Sequence, residues 1–295
     1  MDFCSYFIDN KSLFGSYPSN EQVEILEEMG VIYFIDLTCD GEKVVNYQTK
    51  MQILKYPIKD RGVPTNIREF CKFIIQIGKI IKTDKNIYIH CRGGHGRAGL
   101  LVACLLCYLY KYSPQQSLLL TNQYHNNRTE MRNIWRKIGS PQTRVQKTFI
   151  FKLFKPLYFF QAYQNGPSAG LSNYSKHCMK LENIGVFSNS QKLYYALKYK
   201  DDKDCVYKLL NNKTFKFVLK KPNPDNWEFL KKNVMKTVLL MKIKQHPEVK
   251  NNLINTGFRK IIYNSKYNDY WGIGSGEGKN ILGELLGEIR EKLIM

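Results

Sequence analysis

The segment NIYIHCRGGHGRAGLLVACLLCYLY, residues 86–110, decides the fold of the first half of this chain. It begins with the short apolar stretch 86–90, which predicts a buried strand, and it ends with the apolar run 98–110, which predicts a helix. Between them lies the glycine-rich stretch CRGGHGRAG, residues 91–99. A strand, a loop and a helix in this order favour a layered α/β fold.

The loop between this strand and this helix has the composition of a phosphate-binding site. Cys91 and Arg97 are separated by five residues, and Gly93, Gly94 and Gly96 are among these five. Such a loop can curl so that its backbone N–H groups converge on an anion, and the dipole of the following helix adds to the attraction. The same positive field favours the thiolate, which is the nucleophilic form of a cysteine. The planar guanidinium of an arginine can bind two phosphoryl oxygens at once.

Residues 90–99, HCRGGHGRAG, resemble the HCxxGxxR signature of the protein tyrosine phosphatase superfamily, in its dual-specificity branch. The resemblance covers roughly residues 12–155. It implies a cysteine-phosphatase fold, in which a central sheet is flanked by helices. It also implies that Cys91 forms a phosphocysteine intermediate, that Arg97 binds the phosphate, and that His90 orients the loop.

The family also uses an aspartic acid on a mobile loop to protonate the leaving oxygen. Asp60 lies in YPIKDRGVPT, residues 56–65, after a strand-like stretch and before a predicted helix. General acid–base help of this kind is worth about 10²–10⁴-fold in rate. Asp60 is therefore the predicted general acid. Asp40, which follows another predicted strand, is the competing candidate, and the alternative for Asp60 is an ordinary turn residue.

Two features of the loop depart from the family pattern. Ala98 stands where the family usually has Ser or Thr, so no hydroxyl is present there to stabilise the departing thiolate, and the hydrolytic second step is expected to be slow. Arg92 and His95 make the loop more basic than usual. A phosphorylated protein is the expected substrate, and a polyanion such as a phosphoinositide or a 5′-triphosphorylated RNA is the alternative.

Two glutamines provide candidates for positioning the water of the second step. Gln142 and Gln146 occur in SPQTRVQ, where relatives place such a glutamine. The surrounding sequence predicts a helix over 140–154, with Ser140 as its N-cap and Pro141 in its first turn. The alternative for both glutamines is an ordinary helix surface.

Apolar spacing outside this region predicts the remaining elements of the first half. A β-branched and aromatic run predicts a buried strand over 31–37. Apolar residues at helical spacing predict helices over 21–29 and 66–82. The Gly- and Ser-rich stretch 164–173 marks a change of character. We therefore expect a boundary near 155–165.

The boundary predicts two domains, residues 1–158 and 159–295. The second is expected to be mainly helical, an α+β domain with few strong strand signals. Its predicted helices are 190–200, 226–244, 246–256 and 279–293.

The second half resembles the NADAR domain family, whose members look like N-glycosidases acting on ribosyl or ADP-ribosyl compounds. The resemblance covers nearly all of this half. It is carried by LSNY (171–174), SNSQKLYYALKY (188–199), NWEFLKKNVM (226–235), KQHPEVKNNLINTG (244–257) and NDYWGIGSGEGKNILGELLGEIR (268–290).

The family's proposed catalytic set is a Glu, a Trp and an Asp. The resemblance places the Trp at Trp227 and the Asp at Asp269, but Gln191 stands at the position of the Glu, and Tyr263 stands where many relatives have a second Glu. A glutamine cannot ionise, so it cannot serve as a general base. The second domain is therefore an active glycosidase, a binding module for an ADP-ribosyl or nucleotide-like ligand, or a structural remnant.

Composition limits the class of protein further. The 295 residues are enough for two cores, and the net charge of +20 favours anionic partners, although the lysines are dispersed along the chain. No apolar run approaches the roughly 18 residues of a membrane helix, and the first residues lack the features of a secretion signal. We expect an intracellular protein in which seven of the eight cysteines are reduced thiols and Cys91 is the nucleophile. We expect no cofactor and no metal, because loop amides and an arginine can stabilise the charge that a cation stabilises elsewhere.

Overall fold

The computed structural model describes residues 3–129, 131–160, 166–212 and 214–295. The chain divides into two compact units, unit 1 (residues 1–155) and unit 2 (residues 156–295). Within the predicted boundary range 155–165, residues 161–165 lie outside the described residues.

Unit 1 is built on a five-stranded sheet. In spatial order its strands are β1 (Cys4–Ile8), β2 (Ser12–Gly15), β5 (Asn86–His90), β3 (Val31–Asp36) and β4 (Gln52–Lys55). Only the pair β1–β2 is antiparallel. Strand β5 lies in the middle, and four of its five residues are buried, so the residues that follow it leave the centre of the sheet. A buried central strand of this kind explains the uninterrupted apolar pattern of NIYIH.

Six helices accompany this sheet in the described part of unit 1. They are α1 (Asn20–Glu28), α2 (Ile67–Lys82), α3 (Arg97–Tyr110), α4 (Pro114–Asn126), α5 (Asn133–Ile138) and α6 (Arg144–Phe154). The amphipathic helix α2 begins after Asn66, whose side chain accepts a hydrogen bond from the Glu69 amide at 3.1 Å. Helix α3 is buried on every face from Arg97 to Cys107, which explains its continuous apolar sequence.

The last helix of unit 1 is shorter than its predicted range, 140–154. It begins at Arg144, because Thr143 and Gln146 form a capping box: the Thr143 hydroxyl accepts from the Gln146 amide at 3.2 Å. The prediction that Ser140 caps this helix was wrong. The Ser140 hydroxyl instead donates a hydrogen bond to the carbonyl oxygen of His95 at 2.6 Å.

Unit 2 is mainly helical, with four strands of three residues each among its described residues. Its elements are β6 (Leu157–Phe159), β7 (Met179–Leu181), β8 (Gly185–Phe187), α7 (Ser190–Lys198), α8 (Lys203–Asn211), α9 (Trp227–Gln245), α10 (Pro247–Asn255), β9 (Ile261–Tyr263) and α11 (Ile281–Ile294). Strand β6 pairs in parallel with β9, and β7 pairs antiparallel with β8. Helix α8 was not predicted, since only two of its nine residues, Cys205 and Leu209, are buried.

No helix in the described ranges is both long enough and apolar enough to cross a bilayer.

Candidate active site

The glycine-rich loop of unit 1 runs directly from strand β5 to helix α3, so its geometry is set by two largely buried elements of the unit. Cys91 follows the strand and is only 3% exposed. Gly96 occupies the N-cap of α3. Gly94 has a φ of +70°, and a Cβ there would lie 2.3 Å from the carbonyl carbon of Gly15. Glycine is therefore required at this position for the loop to close against β2.

A cleft of about 280 Å³ opens at this loop. It is lined by Asp60, Arg61, Cys91, Arg92, Gly93, His95, Gly96, Trp135 and Gln142. The cleft thus brings together the predicted nucleophile, the predicted general acid and one of the two candidate glutamines.

Arg97 is almost fully buried, and much of its guanidinium is already bonded. Its Nη1 donates to a carboxylate oxygen of Glu42 and to the carbonyl oxygen of Ile58 at 2.9 Å. Its Nη2 donates to the second carboxylate oxygen of Glu42 at 2.8 Å. The hydrogen bond from Arg97 lowers the pKa of Glu42, so this carboxylate stays ionised. Among the described residues, Arg97 Nε has no hydrogen-bond partner, although it is buried.

Asp60 is a second carboxylate beside the Arg97 guanidinium. Its Oδ1 is 3.2 Å from Arg97 Nη2, and its side chain is 63% exposed. The loop that carries it is held against the start of α6, because Gln146 Nε2 donates to the Gly62 carbonyl at 3.1 Å. The competing candidate, Asp40, pairs with Lys55 at 2.6 Å, is 96% exposed and does not line the cleft.

His90 is the last residue of β5, directly before the loop, and it is fully buried. Its Nε2 is 2.9 Å from the hydroxyl of Tyr47, and its Nδ1 is 3.7 Å from a carboxylate oxygen of Asp36. Burial lowers the pKa of His90 to about 4, so the imidazole is neutral at pH 7. These contacts fix the ring at the residue before Cys91.

His95 does not add the positive charge that the sequence suggested. Its ring stacks on Trp135 with 4.7 Å between centroids and 16° between planes, and its Nδ1 is 2.7 Å from Nε2 of His125. Burial, with the cation of Arg128 nearby, lowers the pKa of His95 to about 4. Of the two basic side chains expected in the loop, only Arg92 is charged at pH 7.

The two glutamines have different environments. Gln142 lines the cleft. Gln146 is completely buried, and its amide is engaged: its Oε1 accepts from the Thr143 amide at 3.1 Å, and its Nε2 donates to Gly62. Ala98 is buried in the first turn of α3 and brings no hydroxyl to the loop.

Three residues of this site have no pattern of their own in the sequence, namely Glu42, Arg128 and Trp135. Arg128 is buried and donates through Nη2 to the carbonyl oxygens of Phe14 and Gly94, both at 3.1 Å, so it ties the loop to β2. Each of the three reaches the site from a connecting segment or a short helix, far along the chain from Cys91. A buried arginine needs a partner, and that was the only available signal for Glu42.

Unit 2 has a separate cavity of about 580 Å³. It is lined by Phe160, Asn173, Tyr174, Gln191, Tyr194, Tyr195, Leu219, Met235, Tyr263, Ser265, Tyr267, Asn268, Trp271 and Leu282. Among these described residues there is no aspartate and no glutamate. The lining is therefore aromatic and amide-rich, and it carries no formal charge at neutral pH.

The second-domain candidates are not all at this cavity. Gln191 and Tyr263 line it. Trp227 does not: it is buried in the core of unit 2, 5.5 Å between centroids from Tyr194. Asp269 is exposed, and its carbonyl oxygen accepts a hydrogen bond from the Lys279 amide at 2.6 Å. The tryptophan that lines the cavity is Trp271.

Each half of the chain is similar to a known protein family. A family model described as "Swiss Army Knife protein, DSP-PTPase phosphatase domain" matches residues 1–150, and a NADAR domain model matches residues 158–294. The "Putative tyrosine phosphatase 197R" of Invertebrate iridescent virus 6 is 35% identical over 278 residues, which cover 88% of this chain and 87% of that protein.

Two further similarities concern one half each. The N-glycosidase YbiA of Escherichia coli (strain K12) is 43% identical over 74 residues, which cover 25% of this chain and 46% of YbiA. The crystal structure of Tk-PTP in the active form is 20% identical, with a TM-score of 0.41, over 50% of this chain and 93% of that chain. The predicted fold class, a cysteine-phosphatase fold followed by a NADAR-like domain, is confirmed. The chain belongs to the DSP-PTPase phosphatase family through residues 1–150, and it carries a NADAR domain at residues 158–294.

Proposed function

We propose that this protein hydrolyses phosphate monoesters through a phosphocysteine intermediate on Cys91. The observation that carries the proposal is a pair of side chains at one cleft, with a buried arginine beside one of them. Cys91 and Asp60 both line it, and Asp60 Oδ1 lies 3.2 Å from Nη2 of the buried Arg97. A nucleophile, a proton donor and a phosphate-binding cation are the groups that this reaction needs.

The unpaired atoms of Arg97 indicate how the phosphate is bound. Glu42 and a backbone carbonyl hold Nη1, so the donors left for phosphoryl oxygens are Nε and the side of Nη2 that faces Asp60. A bound phosphate therefore takes the place of Asp60 at Arg97, while the loop amides bind its other oxygens. The released Asp60 is then free to protonate the leaving group.

The reaction follows in two steps. In the first, Cys91 Sγ forms a bond to phosphorus, the bond from phosphorus to the ester oxygen breaks, and Asp60 gives its proton to that oxygen. In the second, a water oxygen attacks phosphorus, the S–P bond breaks, and the Asp60 carboxylate takes the water proton. Gln142 is the proposed residue that positions this water, and its presence in the lining of the cleft supports this role. Ala98 offers no hydroxyl to the departing thiolate, so we expect the second step to limit turnover.

The proposed substrate is a phosphorylated protein. The loop is less cationic than its sequence suggested, because His95 is neutral. This weakens the case for a phosphoinositide or a 5′-triphosphorylated RNA, for which several cations around the phosphate would be needed.

Hydrolysis of an aryl phosphate by the full chain tests this proposal. We expect Cys91→Ser to abolish turnover and Asp60→Asn to lower kcat by about 10²-fold or more. Asp40→Asn is the matched control, since Asp40 is a neighbouring surface carboxylate outside the cleft, and it should leave kcat unchanged. Turnover by Cys91→Ser at the wild-type rate would contradict the proposal.

For unit 2 we infer a binding site for a ribosyl or nucleotide-like ligand that is not hydrolysed. The inference is supported by the cavity of about 580 Å³, whose described lining offers aromatic rings and side-chain amides but no carboxylate. Aromatic rings can stack on a base, and amides can bind ribose hydroxyls. Cleavage of a glycosidic bond normally depends on carboxylates at the reacting bond, and Gln191 cannot replace one.

Titration of the full chain with ADP-ribose tests the second site. We expect saturable binding that is weakened about tenfold by Tyr267→Ala, because a base–aromatic contact is worth about 1–3 kcal/mol. Tyr207→Ala is the matched control: Tyr207 is also an exposed tyrosine of unit 2, but it lies outside the cavity. Release of a free base from an ADP-ribosylated nucleoside, lost in Gln191→Ala, would show instead that the site is catalytic.

A further inference from the structure

One wall of the phosphatase cleft is aromatic, unlike the rest of its lining. Trp135 of helix α5 lines the same cleft as Cys91, and its ring is partly exposed. The His95 ring covers one face of this indole at 4.7 Å. The other side chains of the lining with extended polar groups are Asp60, Arg61, Arg92 and Gln142. Among the described residues that line the cleft, Trp135 therefore offers the one large apolar surface beside the nucleophile.

The wall is held in place from several directions. His95 is itself fixed by its 2.7 Å contact with His125, and the Ser140 hydroxyl binds its backbone carbonyl. Helix α5 is fastened by Arg136, which donates to the carbonyl oxygen of Asn126 and to that of Thr129 at 3.1 Å. An aromatic surface that is fixed before binding loses little entropy when a ligand packs on it.

The size of the cleft selects what can reach this wall. A volume of about 280 Å³ is at the lower limit of the roughly 300–1,000 Å³ typical of sites for whole small molecules. It suits a phosphoryl group with one ring directly attached. In a nucleoside 5′-phosphate a ribose separates the base from the phosphate, so the base would lie further from Cys91.

We propose that Trp135, backed by His95, is the specificity-determining residue of this phosphatase and selects phosphotyrosine over phosphoserine and phosphothreonine by packing on the phenyl ring. This deepens the proposed phosphatase function and rests on it. A phosphoserine side chain has no ring, so it gains nothing from the indole. Packing of one ring on another stabilises the bound phenyl group beyond the effect of the apolar area that is buried.

Two phosphopeptides that differ only in phosphotyrosine or phosphoserine provide the test, with the full chain as enzyme. We expect Trp135→Ala to raise KM for the phosphotyrosine peptide and to lower the phosphotyrosine-to-phosphoserine ratio of kcat/KM about tenfold. Trp135→Phe should retain most of this ratio because it keeps a ring. Ile134→Ala is the matched control on the same helix, since Ile134 is 59% exposed and does not line the cleft.

An unchanged ratio in Trp135→Ala, or an equal loss for both peptides, would overturn the inference. So would a nucleoside 5′-monophosphate that is hydrolysed faster than phosphotyrosine in a manner dependent on Trp135. The Cys91→Ser variant tests the proposed phosphatase function independently of Trp135. Wild-type hydrolysis that needs Cys91 but is indifferent to Trp135 removes only the specificity inference, whereas the absence of Cys91-dependent hydrolysis removes both.

Discussion

At the scale of single residues, Glu42 determines which part of Arg97 faces a substrate. It bonds both Nη atoms of the guanidinium, and it is only 14% exposed. A charge pair that is mostly buried costs several kcal/mol when one partner is removed, because the other charge is then left unpaired. In the proposed mechanism Glu42 is thus a positioning residue, which acts on the phosphate through the arginine.

We predict that Glu42→Gln lowers kcat/KM for an aryl phosphate by about tenfold or more, because a neutral amide cannot hold the guanidinium in a bidentate ion pair. Binding of the phosphate analogue vanadate should weaken in parallel, since Arg97 contacts the phosphoryl group itself. The matched control is again Asp40→Asn. Normal vanadate affinity in Glu42→Gln would show that Arg97 keeps its position without this carboxylate.

The residues that could be predicted are those whose roles follow from their neighbours in the sequence. Cys91 and Arg97 flank one loop, and Asp60 follows a strand at the same edge of the sheet. Glu42 and Trp135 could not be predicted, because their contacts with Arg97 and His95 depend on how distant segments meet. The neutral state of His95 depends likewise on His125 and Arg128, and it follows from burial and not from residue type.

At the scale of elements, the first turn of α6 separates the two candidate glutamines. A helix over 140–154 would place Gln142 and Gln146 on the same surface, four residues apart. The capping box at Thr143 starts the helix later, so Gln142 is left in the loop that lines the cleft, while Gln146 is buried as part of the cap. Propensity alone could not choose between Ser140 and Thr143 as the cap, since both residue types are favoured there.

We predict different defects for the two glutamine variants. Gln142→Ala should slow the hydrolysis of the phosphocysteine about tenfold, because the attacking water loses its partner, and a burst of the first product should precede a slower steady state. Gln146→Ala should instead lower the free energy of unfolding by about 1–3 kcal/mol, because the partly buried Gly62 carbonyl and the Thr143 amide both lose their side-chain partner. Rapid-quench kinetics and urea unfolding check the two expectations. A larger burst in Gln146→Ala than in Gln142→Ala would reverse the assignment.

At the scale of the whole molecule, the division into a phosphatase half and a NADAR half could be predicted, since each half carries its own long motifs. The strands β1 and β2 could not, because runs of four or five residues resemble buried loops as closely as strands. The unit 2 cavity also lay beyond prediction. The packing of α7, α9 and the glycine-rich segment 271–278 decides whether Trp227 or Trp271 lines this cavity.

Two buried histidines, His90 and His125, and the partly buried His95 make the stability of unit 1 depend on pH. Burial lowers the pKa of His90 and His95 to about 4 and that of His125 to about 3, whereas an unfolded histidine has a pKa of about 6.5. Below pH 6.5 the unfolded chain therefore binds more protons than the folded chain. The free energy of unfolding should fall as pH drops from about 6.5 towards 4 on account of His90 and His95, and on towards 3 on account of His125.

We predict a lower urea midpoint for unit 1 at pH 5.5 than at pH 7.5, read from hydrogen exchange of peptides in β5 and α3 with a labelling pulse of fixed pH. Most carboxylates titrate below this interval, so the loss reports on the histidines. His125→Gln should make the loss smaller, because the amide does not titrate. An equal loss in His125→Gln would mean that this histidine contributes nothing to it.

The central claim is that Cys91 carries the phosphoryl group during turnover. The most direct measurement is rapid acid quench of the full chain mixed with an aryl phosphate, followed by mass spectrometry of its peptides. We expect one phosphoryl group to appear on the peptide containing Cys91 within the first turnover and to decay once substrate is exhausted. Cys91→Ser should show neither the adduct nor hydrolysis. Undiminished hydrolysis by Cys91→Ser, or a phosphoryl group on another residue, would contradict it.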